Sequence, residues 1–199
     1  MKLFIWLCIT WIVTAGGFAG IKFKSQTLSE TKIGAQKVRF YDLDLDGDPD
    51  ILSGSKTLYW WENRGNGIYK QHRLIEDAGN TIGFRAIDLD GDRDIDLITA
   101  AHAESSIVFW ENLGNMQYRK RVVDRHFPGA HDVAVSDINM DGHADIIGTR
   151  GDKNGKGEIA VWIQSPEGFK KSSIFSGEFC HSVSVGDLDG DGRNEIVAT

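Results

Sequence analysis

The stretch that decides the fold is Asp42-Leu-Asp44-Leu-Asp46-Gly-Asp48-Pro-Asp50, which carries carboxylates at its first, third, fifth and ninth positions. The same spacing returns three more times along the chain. The later copies are Asp88–Asp96, Asp137–Asp145 and Asp187–Glu195. A segment that recurs about every 50 residues is typical of a repeat protein in which each unit is one structural module.

Two further landmarks keep the same interval. One is a Trp-Glu-Asn or Trp-Ile-Gln motif at Trp61, Trp110 and Trp162. The other is a basic, alternating stretch that opens at Phe23, Tyr69, Tyr118 and Phe169. Because all three landmarks stay in register, we divide residues 20–199 into repeat units of about 20–66, 67–115 and 116–167 and an incomplete unit, 168–199.

Within each unit the apolar residues alternate with a period of two, which indicates strands. Val133-Ala-Val135 precedes an acidic loop and Ile159-Ala-Val161 follows one, and turns such as Gly65-Asn-Gly67 separate the runs. No stretch has the pattern of an amphipathic helix. Four strands (A, B, C and D) in about 40–50 residues are typical of a β-propeller blade. The sequence therefore predicts an all-β fold, a β-propeller of four-stranded blades.

The strands add up to about three and a half blades, in the order D, ABCD, ABCD, ABCD, AB. The opening D strand, Phe23–Ser29, is expected to complete the last blade of a ring. A closed propeller has about 4–8 blades, and unpaired strand edges promote association. We therefore expect the N-terminal part of a larger, seven-bladed ring completed by C-terminal blades. An open arc and completion of the ring by a second chain are the alternatives.

Residues 1–19 have the pattern of a signal peptide. Lys2 precedes the apolar run Leu3–Val13, and Gly17 and Ala19 suit a cleavage site. An uncleaved membrane anchor is the alternative, but the run is shorter than the ~20 residues of a membrane span. After cleavage no stable membrane insertion is expected. We expect a secreted protein, extracellular or at the cell surface, with the periplasm as an alternative. Cleavage would leave Cys180 as the only thiol.

The formal net charge of −7 is concentrated in the acidic loops, which hold more than half of the 29 acidic residues. This distribution does not suit a nucleic-acid binder and indicates cation binding. Alternating carboxylates in a tight loop direct several oxygens to one centre, and Ca²⁺ takes 6–8 oxygen ligands. An EF-hand is excluded because it needs flanking helices and a Glu at position 12. That position holds Ser53, Thr99, Gly148 or Ala198 here.

The loops and the Trp-Glu-Asn strands resemble those of the FG-GAP/VCBS repeat family, the integrin-α-like calcium-binding β-propellers, over essentially all of residues 21–199. The resemblance implies one Ca²⁺ per loop, up to four ions, where strand A turns into strand B. Carried over residue by residue, the implied ligands are Asp42, Asp44, Asp46 and Asp50; Asp88, Asp90, Asp92 and Asp96; Asp137, Asn139, Asp141 and Asp145; and Asp187, Asp189, Asp191 and Glu195.

Two loops depart from the shared pattern. Arg93 replaces Gly at position 6 of the second loop, which strains the turn or places a cation beside the ion. Asn139 removes one charge from the third loop. We expect weaker calcium binding at these two sites.

The end of the blades away from the acidic loops holds the candidate catalytic residues. His131 and His181 occupy the same slot, six residues before their loops, and His102 and Arg150 follow strand B at that end. The two imidazoles are expected to converge near the axial channel. Such a pair could bind a metal, move protons or contact an anionic sugar, or consist only of solvated strand ends. No third ligand and no nucleophile is identifiable.

Aromatic and basic residues complete the predictions. Trp61, Trp110 and Trp162 are expected to pack between blades, whereas Trp60 points the other way and is expected to be exposed. The basic D strands are expected to form a solvated outer rim able to attract anionic polysaccharide. Together these features predict an extracellular binding, adhesion or scaffolding module for a protein or polysaccharide ligand. The alternative is a polysaccharide-active enzyme, of the lyase or dehydratase type, with a His-lined axial site.

Overall fold

The computed structural model describes residues 4–8, 23–28, 34–152, 154–178 and 180–199. They fall into two compact units, Met1–Ala35 and Gln36–Thr199. In the first unit, β1 (Phe4–Cys8) pairs antiparallel with β2 (Phe23–Thr27). The rest of the predicted signal peptide, including Gly17 and Ala19, lies outside the described residues, and the signal peptide stays a prediction.

The predicted opening D strand forms, and the structure shows one of its partners. A strand does form at Phe23–Thr27, but its ladder partner is β1, in a register that runs from Phe4 opposite Thr27 to Cys8 opposite Phe23. This pairing occupies one edge of β2, and the placement of the strand in the last blade of a ring stays a prediction.

The second unit contains three four-stranded antiparallel sheets and one two-stranded sheet. The first sheet contains β3 (Lys37–Tyr41), β4 (Asp50–Gly54), β5 (Leu58–Asn63) and β6 (Tyr69–Ile75). The second contains β7 (Thr81–Ile87), β8 (Asp96–Ala101), β9 (Ser106–Asn112) and β10 (Tyr118–Asp124), with a 3-10 helix (His102–Glu104) between β8 and β9. The third contains β11 (Ala130–Ser136), β12 (Asp145–Gly151), β13 (Lys156–Ser165) and β14 (Gly168–Glu178). The last sheet pairs β15 (Val183–Gly186) with β16 (Glu195–Ala198).

In each four-stranded sheet the strands lie side by side in chain order, as in the blade of a propeller. The prediction of an all-β fold built from four-stranded blades is confirmed, with three complete blades and the first two strands of a fourth. We refer to the strands of each blade as A to D in chain order, the letters already used for the predicted strands.

Burial differs between the inner and outer strands of a blade. All residues of β4, β8 and β9 are buried, whereas β14 is exposed along almost its whole length. In the second blade, strands B and C are covered on both faces, by the first blade on one side and by the third on the other, which explains their nearly continuous apolar runs.

Three apolar clusters join consecutive blades. The first joins blades one and two and includes Trp60, Phe84, Leu97 and Trp110. The second joins blades two and three and includes Ile107, Phe127, Ile146 and Trp162. The third joins blade three to the last sheet through Ala134, Ile147, Val161 and Val183. The blades are thus held to their chain neighbours by hydrophobic burial.

Candidate functional site

The four acidic loops connect strand A to strand B and have the same backbone conformation. We number their positions 1 to 9, starting at Asp42, Asp88, Asp137 and Asp187. Positions 4 and 6 have positive φ angles in every loop. The residues concerned are Leu45, Gly47, Gly91, Arg93, Met140, Gly142, Gly190 and Gly192, with φ between 60° and 93°. The sequence predicted the special conformation at position 6 but missed it at position 4, where two of the four residues are not glycine.

Side-chain carboxylates hold this backbone in place. The position 1 carboxylate accepts a hydrogen bond from the N–H of position 6, for example Asp42 Oδ2 from Gly47 at 3.0 Å and Asp187 Oδ2 from Gly192 at 2.9 Å. The position 5 carboxylate accepts from the N–H of position 7, for example Asp191 Oδ1 from Arg193 at 2.8 Å. These local bonds fix the loop and turn the carboxylates toward a common centre.

Three of the loops bring acidic ligand atoms within 4.8 Å of one another among the described residues. The groups are Asp42, Asp44 and Asp46; Asp88, Asp90 and Asp96; and Asp187, Asp189 and Glu195. Three convergent carboxylates at this separation offer the hard oxygen ligands that Ca²⁺ binds. The structure therefore supports three clusters able to hold a cation.

The first loop also contains oxygens that have no protein partner. Asp42 Oδ1 and Asp44 Oδ1 are buried and accept no hydrogen bond from the described residues. Burial, together with the charges of Asp50 and Asp46, raises the pKa of Asp44. Burial and the charge of Asp92 likewise raise the pKa of Asp90 in the second loop. A divalent cation would supply the missing partner and offset the repulsion, so these residues fit Ca²⁺.

The third loop differs because of Asn139. Its Nδ2 donates to Asp141 Oδ2 at 2.8 Å, and Asp137, Asp141 and Asp145 do not form an acidic cluster of the same kind among the described residues. Hydrogen bonds from His143 N–H and from Asn139 lower the pKa of Asp141. The Asn139 amide thus takes up a carboxylate oxygen that is available to an ion in the other loops. The calcium site proposed for this loop stays a prediction.

The position 9 carboxylates have a role that the sequence analysis missed. Asp50, Asp96 and Asp145 are buried, and each accepts one hydrogen bond from the N–H of loop position 2 and one from the end of strand C. The strand C donors are the N–H groups of Asn63, Asn112 and Gln164, at 2.8–2.9 Å. Burial raises the pKa of Asp96 to about 6, against the effect of these hydrogen bonds. Position 9 therefore ties the loop to strand C whether or not an ion is bound.

Exchanging Asp50 for alanine separates this structural role from metal binding. Asp50→Ala leaves the N–H groups of Leu43 and Asn63 without an acceptor, which we expect to lower the free energy of unfolding by about 2–3 kcal/mol. Urea unfolding should show this loss both in calcium and in EDTA. Asp44→Asn, at position 3, is the comparison and should destabilise the protein only in calcium. A deficit of Asp50→Ala that disappears in EDTA would mean that position 9 acts through the metal alone.

Arg93 is exposed and adopts a φ of 78° at position 6 of the second loop. A residue with a Cβ in this left-handed region is strained by about 1–2 kcal/mol. Glycine removes this strain but loses more conformational entropy on folding, which offsets part of the gain. Arg93→Gly is therefore expected to raise the free energy of unfolding by about 0.5–1 kcal/mol, measured by urea unfolding. Arg73→Gly, within β6, is the control and should have the opposite sign, since glycine weakens a strand. Equal effects of the two changes would contradict strain at Arg93.

Comparison with known protein families agrees with this architecture. A family model described as an FG-GAP-like repeat matches three times, over residues 42–99, 88–148 and 137–198. The chain belongs to the FG-GAP-like repeat family. Each matched FG-GAP-like repeat begins at the first aspartate of one acidic loop and ends in strand B after the next loop. A search of the curated proteins finds no match.

At the opposite end of the FG-GAP-like blades, the two predicted histidines meet. The rings of His131 and His181 have centroids 4.4 Å apart at 75°, and His131 Nδ1 lies 2.8 Å from the main-chain oxygen of His181. Burial lowers the pKa of His131, to which the charges of His181 and His102 add, against the effect of that hydrogen bond. The two rings are thus in contact, and their surroundings favour the neutral form of His131.

The other two catalytic candidates have structural partners. His102 Nδ1 lies 3.1 Å from the main-chain oxygen of Ala130. Arg150 lies within β12 rather than beyond it, and its Nε donates to Glu158 Oε2 at 2.6 Å. The structure does not bring Arg150 to the histidine pair as a free guanidinium, because the buried Glu158 holds it on its own sheet.

Strand C carries buried glutamates that pair with the basic D strands. Glu62 bonds His72 at 2.8 Å, Glu111 bonds Arg119 at 2.6 Å, and Glu158 lies 3.4 Å from Lys171. The basic residues of strand D lie at the exposed edge of the blades, as expected, and some of them also pair with a buried glutamate of strand C: Arg119 and Arg121, 52% and 53% exposed, both bond Glu111. The sequence separation differs from pair to pair, so no fixed spacing indicates these pairs in the sequence.

Trp60 also departs from the expectation. It is only 5% exposed and stacks on His72, with ring centroids 4.5 Å apart. Trp61, Trp110 and Trp162 are buried, and Trp110 and Trp162 pack between blades as predicted. Both faces of this strand C are buried, so alternation along it does not separate a buried face from a solvent face.

A buried ion cluster joins three of the A strands beside the histidine pair. Asp132, 1% exposed, bonds Lys37 Nζ at 2.7 Å and Ser182 Oγ at 3.1 Å through Oδ2, and lies 3.5 Å from Arg85 Nη1 through Oδ1. Gly83 makes the approach feasible, since a Cβ there would collide with Asp132. Sequence reasoning missed this cluster because its members occupy equivalent slots but are different residue types.

A groove of about 360 Å³ opens between blades two and three, beside the second acidic loop. Leu89, Phe109 and Phe169 line it, and Asp90 and Arg121 contribute its polar groups. The position 3 carboxylate of the second loop is therefore reachable from this groove.

Proposed function

We propose that the chain is a secreted, calcium-binding β-propeller segment that acts as an extracellular binding or scaffolding module. The observation that carries the calcium assignment is the first loop, where buried Asp42 Oδ1 and Asp44 Oδ1 face a carboxylate cluster without a hydrogen-bond partner among the described residues. When bound, Ca²⁺ neutralises the clustered charge. Hydrogen bonds within the loop hold its backbone, and the position 9 carboxylate connects the loop to the end of strand C.

The location and the class of ligand belong to the same proposal. The apolar leader at residues 1–19 supports export, and none of the helices among the described residues has the length and apolarity needed to cross a membrane. The net charge of −7 argues against nucleic acid as the partner. A protein or polysaccharide bound outside the cell is the remaining class, and the rigid blades would hold its binding surface in place.

A calorimetric titration of the full chain with CaCl₂ tests the calcium assignment. We expect saturable binding of three ions, with a fourth, weaker site if the third loop binds. The double variant Asp42→Asn/Asp44→Asn should lose one site, and the exposed Asp77→Asn should lose none. Absence of saturable binding in the wild-type chain would overturn the assignment.

The alternative, a polysaccharide lyase or dehydratase with an axial histidine site, draws on the contact between His131 and His181. Two observations weigh against it. His131 Nδ1 is engaged with a main-chain oxygen, and Arg150 is paired with Glu158. Turnover of an acidic polysaccharide that His131→Gln abolishes, with the fold unchanged, would establish the enzyme instead.

A further inference from the structure

The A strands carry an excess of positive charge next to Asp132. Lys37 and Arg39 are two residues apart on β3 and therefore project from the same face of the strand. Arg85, on β7, approaches the same carboxylate as Lys37. We call Lys37, Arg39, Arg85 and Asp132 the axial cluster. It contains three cations and one carboxylate.

Asp132 cannot neutralise all three cations. Its Oδ2 accepts from Lys37 and Ser182, and its Oδ1 accepts from the N–H of Val133 at 3.0 Å and faces Arg85. With these contacts both carboxylate oxygens are occupied. Asp132 therefore has no free acceptor for a further guanidinium.

Arg39 is the member that has no hydrogen-bond or ion-pair partner in the described part of the chain. It is half-buried, and its Nε is buried and unpaired among the described residues. A guanidinium has five donors in a planar fork that matches an oxyanion with two acceptor oxygens. The Nε is closed to solvent, but the terminal Nη1 and Nη2 of this half-buried side chain are not buried, so an acceptor from outside the chain can reach them and would offset the uncompensated charge.

The other two cations respond to the same imbalance. Burial lowers the pKa of Lys37, and the charges of Arg39 and Arg85 lower it further, against the effect of Asp132. Burial also lowers the pKa of Arg85, with Arg39 adding to the effect and Asp132 opposing it. Both shifts agree with positive charge in excess of the carboxylate that is present.

We propose that the axial cluster binds the carboxylate of an acidic saccharide, with Arg39 as its principal donor. The inference rests on the proposed binding role and names its ligand class. A saccharide fits better than an acidic protein, because the face offers polar groups. Tyr41 is the next residue on this side of β3, and the histidine pair lies beside Asp132. The one large exposed hydrophobic residue of β3, Phe40, alternates with Arg39 and projects from the other face. A protein interface would need an apolar centre.

The test is a calorimetric titration of the full chain, in calcium, with a hexasaccharide of alternating glucuronate and N-acetylglucosamine. A neutral hexasaccharide of N-acetylglucosamine and a hexaglutamate peptide serve as comparison ligands. We expect saturable binding of the acidic saccharide only, weakened roughly tenfold or more by Arg39→Gln, as for the loss of a charge-assisted bidentate contact. Arg73→Gln, whose side chain is 69% exposed on β6, is the matched control and should bind like wild type.

Several results would overturn the inference: no binding of the acidic saccharide, equal binding of the neutral one, preference for the peptide, or an unchanged affinity in Arg39→Gln. The melting temperature of each variant verifies folding, and Arg39→Lys, which keeps the charge but not the fork, should bind with intermediate affinity. Calcium titration of the same samples keeps the two proposals apart. If calcium binds but the saccharide does not, the ligand class is wrong and the calcium-binding role stands.

Discussion

Replacing Asp132 by alanine is expected to lower the free energy of unfolding by about 3 kcal/mol or more, because it removes the buried carboxylate and leaves the partly buried Lys37 and Arg85 without their counter-charge. For a domain of this size each kcal/mol changes the melting temperature by about 2–4 °C, so a fall of roughly 10 °C is expected. Urea unfolding and calorimetry measure the two quantities. Asp77→Ala, at an exposed carboxylate, is the control and should stay within about 0.5 kcal/mol of wild type.

The stability loss in Asp132→Ala should depend on pH, and a second substitution should partly reverse it. Burial alone would raise the pKa of Asp132, but Lys37 and then Arg85 lower it below its usual value. A lowered carboxyl pKa contributes stability above the unfolded value of about 4 and loses it as pH falls below that value. The difference between wild type and Asp132→Ala should therefore shrink in acid. Lys37→Met should restore part of the stability lost in Asp132→Ala, and a loss of under about 1 kcal/mol at neutral pH would contradict the ion cluster.

Removal of calcium is expected to have the second large effect. An ion present at a hundred times its dissociation constant contributes about 2.7 kcal/mol per site, or about 5–10 °C in melting temperature. EDTA should lower the melting temperature of the full chain by at least this amount, and added CaCl₂ should restore it. The reason is the charge repulsion among carboxylates such as Asp42, Asp44 and Asp46, which an ion offsets.

Two comparisons make the calcium result specific. Asp42→Asn/Asp44→Asn should respond less to EDTA than wild type does, because one cluster has lost its charge. Asp77→Asn should respond as wild type does. A melting temperature that EDTA does not change in the wild-type chain would show that the acidic loops do not hold structural calcium.

The sequence predicted the shared part of the fold well. The spacing of carboxylates at positions 1, 3, 5 and 9, the Trp motif and the alternation of apolar residues give the blades, and the structure has them. A pattern that recurs in each repeat can be recognised because each copy confirms the others. The pairing of the opening strand with β1 was not predicted, since alternation does not encode which segment pairs with a given strand edge.

The features that are not shared between the repeats were harder to predict. Asp132, Gly83 and Lys37 stand at equivalent slots but share no chemistry, so the repeat comparison that reveals the loops conceals the ion cluster. Trp60 was misplaced because alternation was taken to mean one buried face. Position 9 was identified as an acid, but its bonds to strand C depend on a neighbour about 13–19 positions away.

The bond between Lys37 and Asp132 passes over Gly83 and joins the first blade to the third. Like the bond from Arg85 to the main-chain oxygen of Val183, it connects segments that are remote in the chain, whereas the apolar clusters join only consecutive blades. It forms only after the intervening blade has folded, and is therefore absent from an early transition state. Its loss should act chiefly on the rate of unfolding rather than on the rate of folding. The axial cluster thereby lengthens the lifetime of the folded protein, a property distinct from its equilibrium stability.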